Sequence, residues 1–109
     1  MSIKVELDDL ADEVSKRPFG YLLTAGDEGP PHSGAVVFVW DDGCLVTGAG
    51  RTTRRHVGQR STVSLLWPPL EVGGYSLIVD GDAVIRDADD ADTATVAITP
   101  TWAVLHRPA

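Results

Sequence analysis

Four arginines, Arg51, Arg54, Arg55 and Arg60, crowd one short segment of a chain that is otherwise acidic. They follow Gly48 and Gly50, which let a backbone turn sharply at the end of an apolar run. A guanidinium is permanently charged, and its planar fork of donors matches the oxygens of a phosphate. This reversal of charge therefore points to the capture of a small anionic group. The competing reading is pairing with neighbouring carboxylates on a surface crossing. Exposed ion pairs contribute only ~0 to 1 kcal/mol, so stability is a weak reason to gather four cations.

Other reactive side chains are sparse. His32, His56 and Tyr75 are the candidates for proton transfer. Each reads first as a structural or solvated residue, and no catalytic residue is assigned. Asp80 and Asp82 flank Gly81 but lack the further oxygen ligands that a calcium site needs, so they read as a solvated bend and no metal is expected. Cys44, the single cysteine, lies in an apolar strand. An intrachain disulfide is impossible, and a buried, inert thiol is expected.

The elements that must position the arginines are mostly strands. Val36 to Trp40 and Cys44 to Thr47 are β-branched and aromatic, and Asp41-Asp42-Gly43 between them is a tight-turn signal, so the pair reads as a hairpin. The basic crossing leads into the apolar strand Val63 to Trp67, which Pro68 and Pro69 end. Before the hairpin, apolar residues recur at helical spacing from Leu7 to Lys16, with acids first and bases last, and Pro18 stops that helix. Phe19 to Ala25 reads as a strand, Gly26 to Gly29 as a loop, and the following strand starts at His32 or Ser33 because Pro30 and Pro31 cannot donate ladder hydrogen bonds. After the connector Leu70 to Gly74 come a long strand, Tyr75 to Ile85, bent at Asp80-Gly81-Asp82, an acidic run Asp87 to Asp92 capping a short helix through Ala97, and a closing strand, Thr99 to Leu105. Met1 to Val5 is extended at most. The sum is a mainly β fold: a compact antiparallel barrel of roughly six strands with one or two short helices, closed to protect its edges.

Composition bounds the function. The chain of 109 residues is one domain, 43% hydrophobic and 23% charged. With 16 Asp+Glu against 9 Lys+Arg the net charge is -7, which disfavours a broad surface for nucleic acid or anionic membrane and leaves room for one basic spot. No signal-like or membrane-spanning apolar run is present, and a cytoplasmic location is expected.

The order of these features, an apolar strand, a Gly-Pro turn, a strand ending in Phe38-Val39-Trp40, the Asp-Asp-Gly turn, a strand ending at Thr47, the basic crossing, and Val63 to Pro68, resembles the pyridoxamine 5'-phosphate oxidase-like family of flavin-binding split barrels. The resemblance runs from Phe19 to Ile85 and, more weakly, from Pro100 to Leu105. It implies a homodimer with flavin mononucleotide (FMN) at an interface that both protomers contact, and hydride or electron transfer to a small-molecule substrate. By position it places flavin along Val46 and Thr47, with Val36 and Val37 beneath the ring. The family's Ser-Arg-Lys phosphate segment falls on Arg51, Thr52 and Thr53, with Arg54 and Arg55 following. The family's lysine is therefore missing, and Gly34 stands where longer members place an arginine. Trp67 to Ser76, including Tyr75, is the expected contribution of the second protomer, and Trp102 is a candidate to pack near the ring. The chain ends soon after Leu105, where the vitamin-gripping segment of true pyridoxamine phosphate oxidases would follow, so vitamin oxidation is not expected. Two alternatives stay open: a deazaflavin in place of FMN, and a dimeric ligand-binding or interaction module that has lost its cofactor.

Overall fold

A computed structural model describes residues 1–108. The strands are β1 (Ser2–Lys4), β2 (Gly20–Thr24), β3 (His32–Val36), β4 (Val39–Asp41), β5 (Cys44–Gly48), β6 (Thr62–Trp67), β7 (Ser76–Arg86) and β8 (Thr95–His106), and the helices are α1 (Leu10–Ser15) and α2 (Arg51–Gln59). The strands form one antiparallel sheet in the order β3-β2-β6-β7-β8-β5-β4, with β1 added along the end of β8. The sheet curls around a core of Leu22, Leu45, Val63, Leu65, Trp67, Leu77, Val79, Val96 and Ile98. Alternation along each strand selects these residues, because every second side chain faces inward.

The expected mainly β barrel is present, with two more strands than the sequence suggests. The run from His32 to Trp40 divides at Val37 and Phe38 into β3 and β4, which belong to opposite ends of the sheet. The N-terminal stretch pairs on β8 through Ser2–His106, Ile3–Leu105 and Lys4–Val104. The first helix arrives as a 3-10 turn over Leu7–Asp9 followed by α1, which buries Leu10 and Val14, one turn apart. The bend at Gly81 of β7 faces a bulge in β8: Asp80 pairs with Trp102 but Gly81 with Pro100, so Thr101 is the extra residue. A proline is tolerated there because the ladder is interrupted.

Two expectations need correction. The acidic run does not start a helix through Ala97. Asp87 takes a left-handed φ of 57°, the Asp90 side chain accepts from the Asp92 amide at 2.9 Å, and β8 already begins at Thr95. Aspartates so closely spaced repel one another and compete for backbone amides, which favours turns over helix. Cys44 is half-buried rather than enclosed, with Sγ at 3.5 Å from Thr99 Oγ1. Among the described residues, no helix is long and apolar enough to cross a membrane.

Candidate functional site

The basic crossing is a helix. Thr53, His56 and Val57, at spacings of three and four, turn inward and are buried, which is the amphipathic pattern of a helix lying on a sheet. The β-branched threonines and Gly58 mask that pattern in the sequence by lowering helix propensity. Gly50 takes an extended conformation at the N-cap, and no side chain caps the helix. The leading amide groups of α2 are thus available as donors, and the helix dipole favours an anion there.

A pocket of about 270 Å³ opens at this helix start, lined by Leu22, His32, Gly34, Val36, Gly48, Gly50, Arg51, Thr52 and Thr53. Leu22 and Val36 supply an apolar floor. A Cβ at Gly48 or Gly50 would meet nothing within 4 Å, so the backbone stands open to a ligand. Among the described residues, the ion pairs of the basic side chains involve Lys16, Arg17, Arg60 and Arg86, leaving Arg51, Arg54 and Arg55 without a carboxylate partner. Arg54 Nη1 donates to the carbonyl of Ala49 at 2.8 Å, which folds this side chain back over the turn. Arg60 lies 3.9 Å from Asp27.

Four of the residues expected at a flavin site, Val36, Arg51, Thr52 and Thr53, meet in this pocket, with Arg54 adjoining it. Thr53 is buried. Val46 and Thr47 lie just before Gly48 on β5. Thr47 shares the inner face with its ladder partner Val96, whereas Val46 faces outward opposite Ala97.

The remaining expected residues lie elsewhere in the protomer. Val37 lines a separate groove with Phe19, Phe38, Trp40 and Trp67. Trp67 itself is 1% exposed, held between Gly20 and the Phe38 ring, whose centroid is 5.3 Å away. Tyr75 donates its hydroxyl to Met1 Sδ at 3.3 Å, under the Arg107 guanidinium. Ser76 pairs with His106 at the start of β7, and Trp102 borders a groove with Lys4 to Asp8.

Two residues gain importance from the structure. His56, from α2, is buried and hydrogen-bonded through Nδ1 to Thr24 Oγ1 at 2.9 Å. Its ring meets that of His32 edge to face at 6.4 Å. Nothing in the sequence brings Thr24, His32 and His56 together, since their meeting depends on α2 lying across the β2–β3 hairpin.

Comparison with known proteins gives three results. No protein-family model matches the chain. Uncharacterized proteins of Mycobacterium bovis and Mycobacterium tuberculosis are each 40% identical over 124 aligned positions, covering 97% of this chain and 82% of theirs. Among solved structures, a Listeria innocua protein provisionally named a pyridoxamine 5'-phosphate oxidase superposes with a TM-score of 0.73 at 18% identity, covering 91% of this chain and 96% of that one. An FAD-binding protein of Mycobacterium smegmatis gives 0.67 at 20% identity over 98% and 100% of the two chains. A heme storage protein of Vibrio cholerae gives 0.65 at 15% identity over 92% and 94%.

Proposed function

The chain belongs to one family with these Mycobacterium bovis and Mycobacterium tuberculosis proteins and has the split-barrel fold of the pyridoxamine 5'-phosphate oxidase-like proteins, and we propose on that footing that it is a small flavin-dependent oxidoreductase acting on a diffusible substrate. One observation carries the reading: an uncapped helix start, beside guanidinium groups without carboxylate partners, opens on a pocket with an apolar floor. That combination suits a ligand with an anionic end and a flat apolar body. FMN is the smallest flavin that has both.

The donor set fits the group. The amides at the start of α2 and the Arg51 guanidinium would hold its phosphate, with Arg54 stiffening the turn through Ala49. Leu22 and Val36 would support the apolar body, and Gly34 and Gly48 leave it room. When bound, flavin supplies the redox chemistry. The arginines orient it and take no part in electron transfer. His32 also lines the pocket.

The pocket is smaller than the ~300–1,000 Å³ of typical small-molecule sites. A site completed by a second copy of the chain accounts for that. The outer face of the sheet supports the same reading. Val39 and Val84 are exposed at the two ends of one cross-strand row that also holds half-buried Val46 and buried Ala97, and Leu70 and Val72 protrude from the β6–β7 connection. Exposed apolar surface of this kind marks an interface. In the proposed homodimer, the connection Pro68 to Tyr75 reaches the partner's pocket.

The test is flavin titration of the purified protein, followed by its visible absorbance and fluorescence quenching. Retained flavin bands are the expected result. Arg51→Ala with Arg54→Ala should lower affinity by about 10- to 100-fold, the scale of lost hydrogen bonds to a charged group, with the barrel still folded. A protein that takes up no flavin favours the cofactor-free module that the missing lysine and Gly34 suggest. Uptake of a deazaflavin alone favours the other alternative.

A further inference from the structure

Arg17, just past the end of α1, lines two grooves. Its side chain is only 6% exposed, so its donors need partners other than bulk water. Nη1 has two, the Glu13 carbonyl at 2.9 Å and Glu13 Oε2 at 3.1 Å. Nη2 reaches the Tyr75 carbonyl at 3.4 Å, which is long for an N–H···O bond. Nε is buried and, among the described residues, has no partner. Nε and Nη2 carry the two parallel N–H groups along one edge of the guanidinium, the edge that a carboxylate grips side-on with both oxygens. Glu13 engages the remaining donor and leaves this edge almost unused. The two grooves differ in what they would accept. One, of about 260 Å³, has Glu71 in its wall, and that carboxylate repels an anion. The other, of about 190 Å³, is walled by Phe19, Val37, Phe38, Trp40 and Trp67, and Arg17 is the only ionisable residue of its lining. Phe19, Val37 and Trp40 are exposed, so this groove presents apolar surface to solvent beside a buried cation.

We propose that the aromatic groove is a binding site for small aromatic carboxylates, with the ligand's ring against the aromatic walls and its carboxylate on the Nε–Nη2 edge of Arg17. The inference stands apart from the flavin reading above and concerns a different pocket. A ring that leaves water for these walls gains by the hydrophobic effect, and its charge meets Arg17 where the surroundings are less polar than water. The guanidinium gives up only the long Tyr75 contact when this edge turns to the ligand. Glu13 stays on Nη1, so the ligand adds to that ion pair and does not replace it. Lys16 lies 3.3 Å from the same Glu13 carboxylate, so two cations face one anion and the local charge stays positive. A volume below the ~300–1,000 Å³ of typical small-molecule sites suits a single ring with a short acidic arm. Both parts of the ligand are needed. A neutral ring leaves the guanidinium edge without an anion, and a carboxylate without a ring leaves the aromatic walls uncovered.

The experiment is an NMR titration of the purified full chain with benzoate, benzamide and acetate, following backbone amide and tryptophan indole signals. Benzoate should bind with a Kd of about 1 mM or tighter, the scale set by so few atoms. Its largest shifts should fall on Arg17, Val37, Phe38 and the indoles of Trp40 and Trp67, and benzamide and acetate should each bind at least about tenfold more weakly. Arg17→Lys keeps the charge but loses the two-donor edge, and should weaken benzoate by about tenfold. Because Arg17 is buried, Val37→Asp is the second variant. It sets a carboxylate at an exposed position of the groove, and should weaken benzoate by about tenfold while benzamide changes within about twofold. Benzamide equal to benzoate in the parent, shifts centred elsewhere, unchanged benzoate affinity in the folded variants, or no saturable binding of benzoate overturns the proposal. None of these outcomes bears on the flavin reading, which its own titration decides.

Discussion

Thr24 Oγ1 and His56 Nδ1 are hydrogen-bonded at 2.9 Å, and each residue is 2% exposed. This contact ties the basic helix to β2 of the sheet. Thr24→Val keeps the shape and removes the hydroxyl, so a buried imidazole nitrogen loses its partner at a cost of about 1–3 kcal/mol. Urea unfolding should show that loss, and Thr24→Ser should recover most of it. Unchanged stability in Thr24→Val would mean that the imidazole is satisfied in another way.

Two glycines should respond in opposite directions to alanine. At Gly81, opposite the bulge in β8, a Cβ would lie 2.6 Å from Ile98 Cγ2 and 2.7 Å from the Thr99 carbonyl oxygen. Gly81→Ala should destabilise by about 1–3 kcal/mol through overpacking. At Gly58, inside α2, a Cβ meets nothing within 4 Å, so Gly58→Ala should add ~0.5–1 kcal/mol through helix propensity. Thermal melting of the two variants beside the parent measures both signs.

Glu13 gives a pH dependence. Partial burial pushes its carboxyl up, but hydrogen bonds from Arg17 and Lys16, together with their charges, outweigh that push and hold it below the usual 4.5. Its stabilisation is therefore complete above the pKa of the unfolded chain and fades as pH falls through the lower folded value. Glu13→Gln should lower stability by roughly 0.5–1 kcal/mol at pH 7. The gap between variant and parent should close in acid. A gap that is constant with pH would show that packing, not charge, sets the effect.

The apolar row on the outer face tests the homodimer. Val39 and Val84 are 64% and 63% exposed and flank Val46 and Ala97 in register. Val39→Asp with Val84→Asp places charges where a partner would have to desolvate them. Analytical ultracentrifugation should find a dimer in the parent and a folded monomer in the variant, with weakened flavin uptake. A parent that sediments as a monomer at micromolar concentration would remove both the dimer and the shared site.

Where each side chain's role is local, the sequence is readable. The Asp-Asp-Gly turn, the bend at Gly81 and the alternation of Val63 to Trp67 each reflect backbone geometry within a few residues, and the structure has all three. The cluster of arginines is legible as charge but not as a helix, because the burial of Thr53, His56 and Val57 is decided by distant strands that α2 packs against, β2 and β7 among them. The acidic run misleads for a related reason. Aspartates suit a helix start, but Val96 and Ile98 are needed by the core as strand residues. The Thr24–His56 contact joins residues far apart in the chain and leaves no mark on either neighbourhood.

Val37 and Phe38 link β3 to β4, the two outermost strands of the sheet, and the pocket spans the gap between β3 and the β5–α2 corner. The pocket therefore opens between elements that no ladder joins. Parting β7 from β8 would undo eleven paired positions, whereas β3 and β4 at the rims are each paired along one side only. Amide exchange should accordingly be graded, slowest along the β6–β7–β8 spine and faster by local opening at β3 and β4.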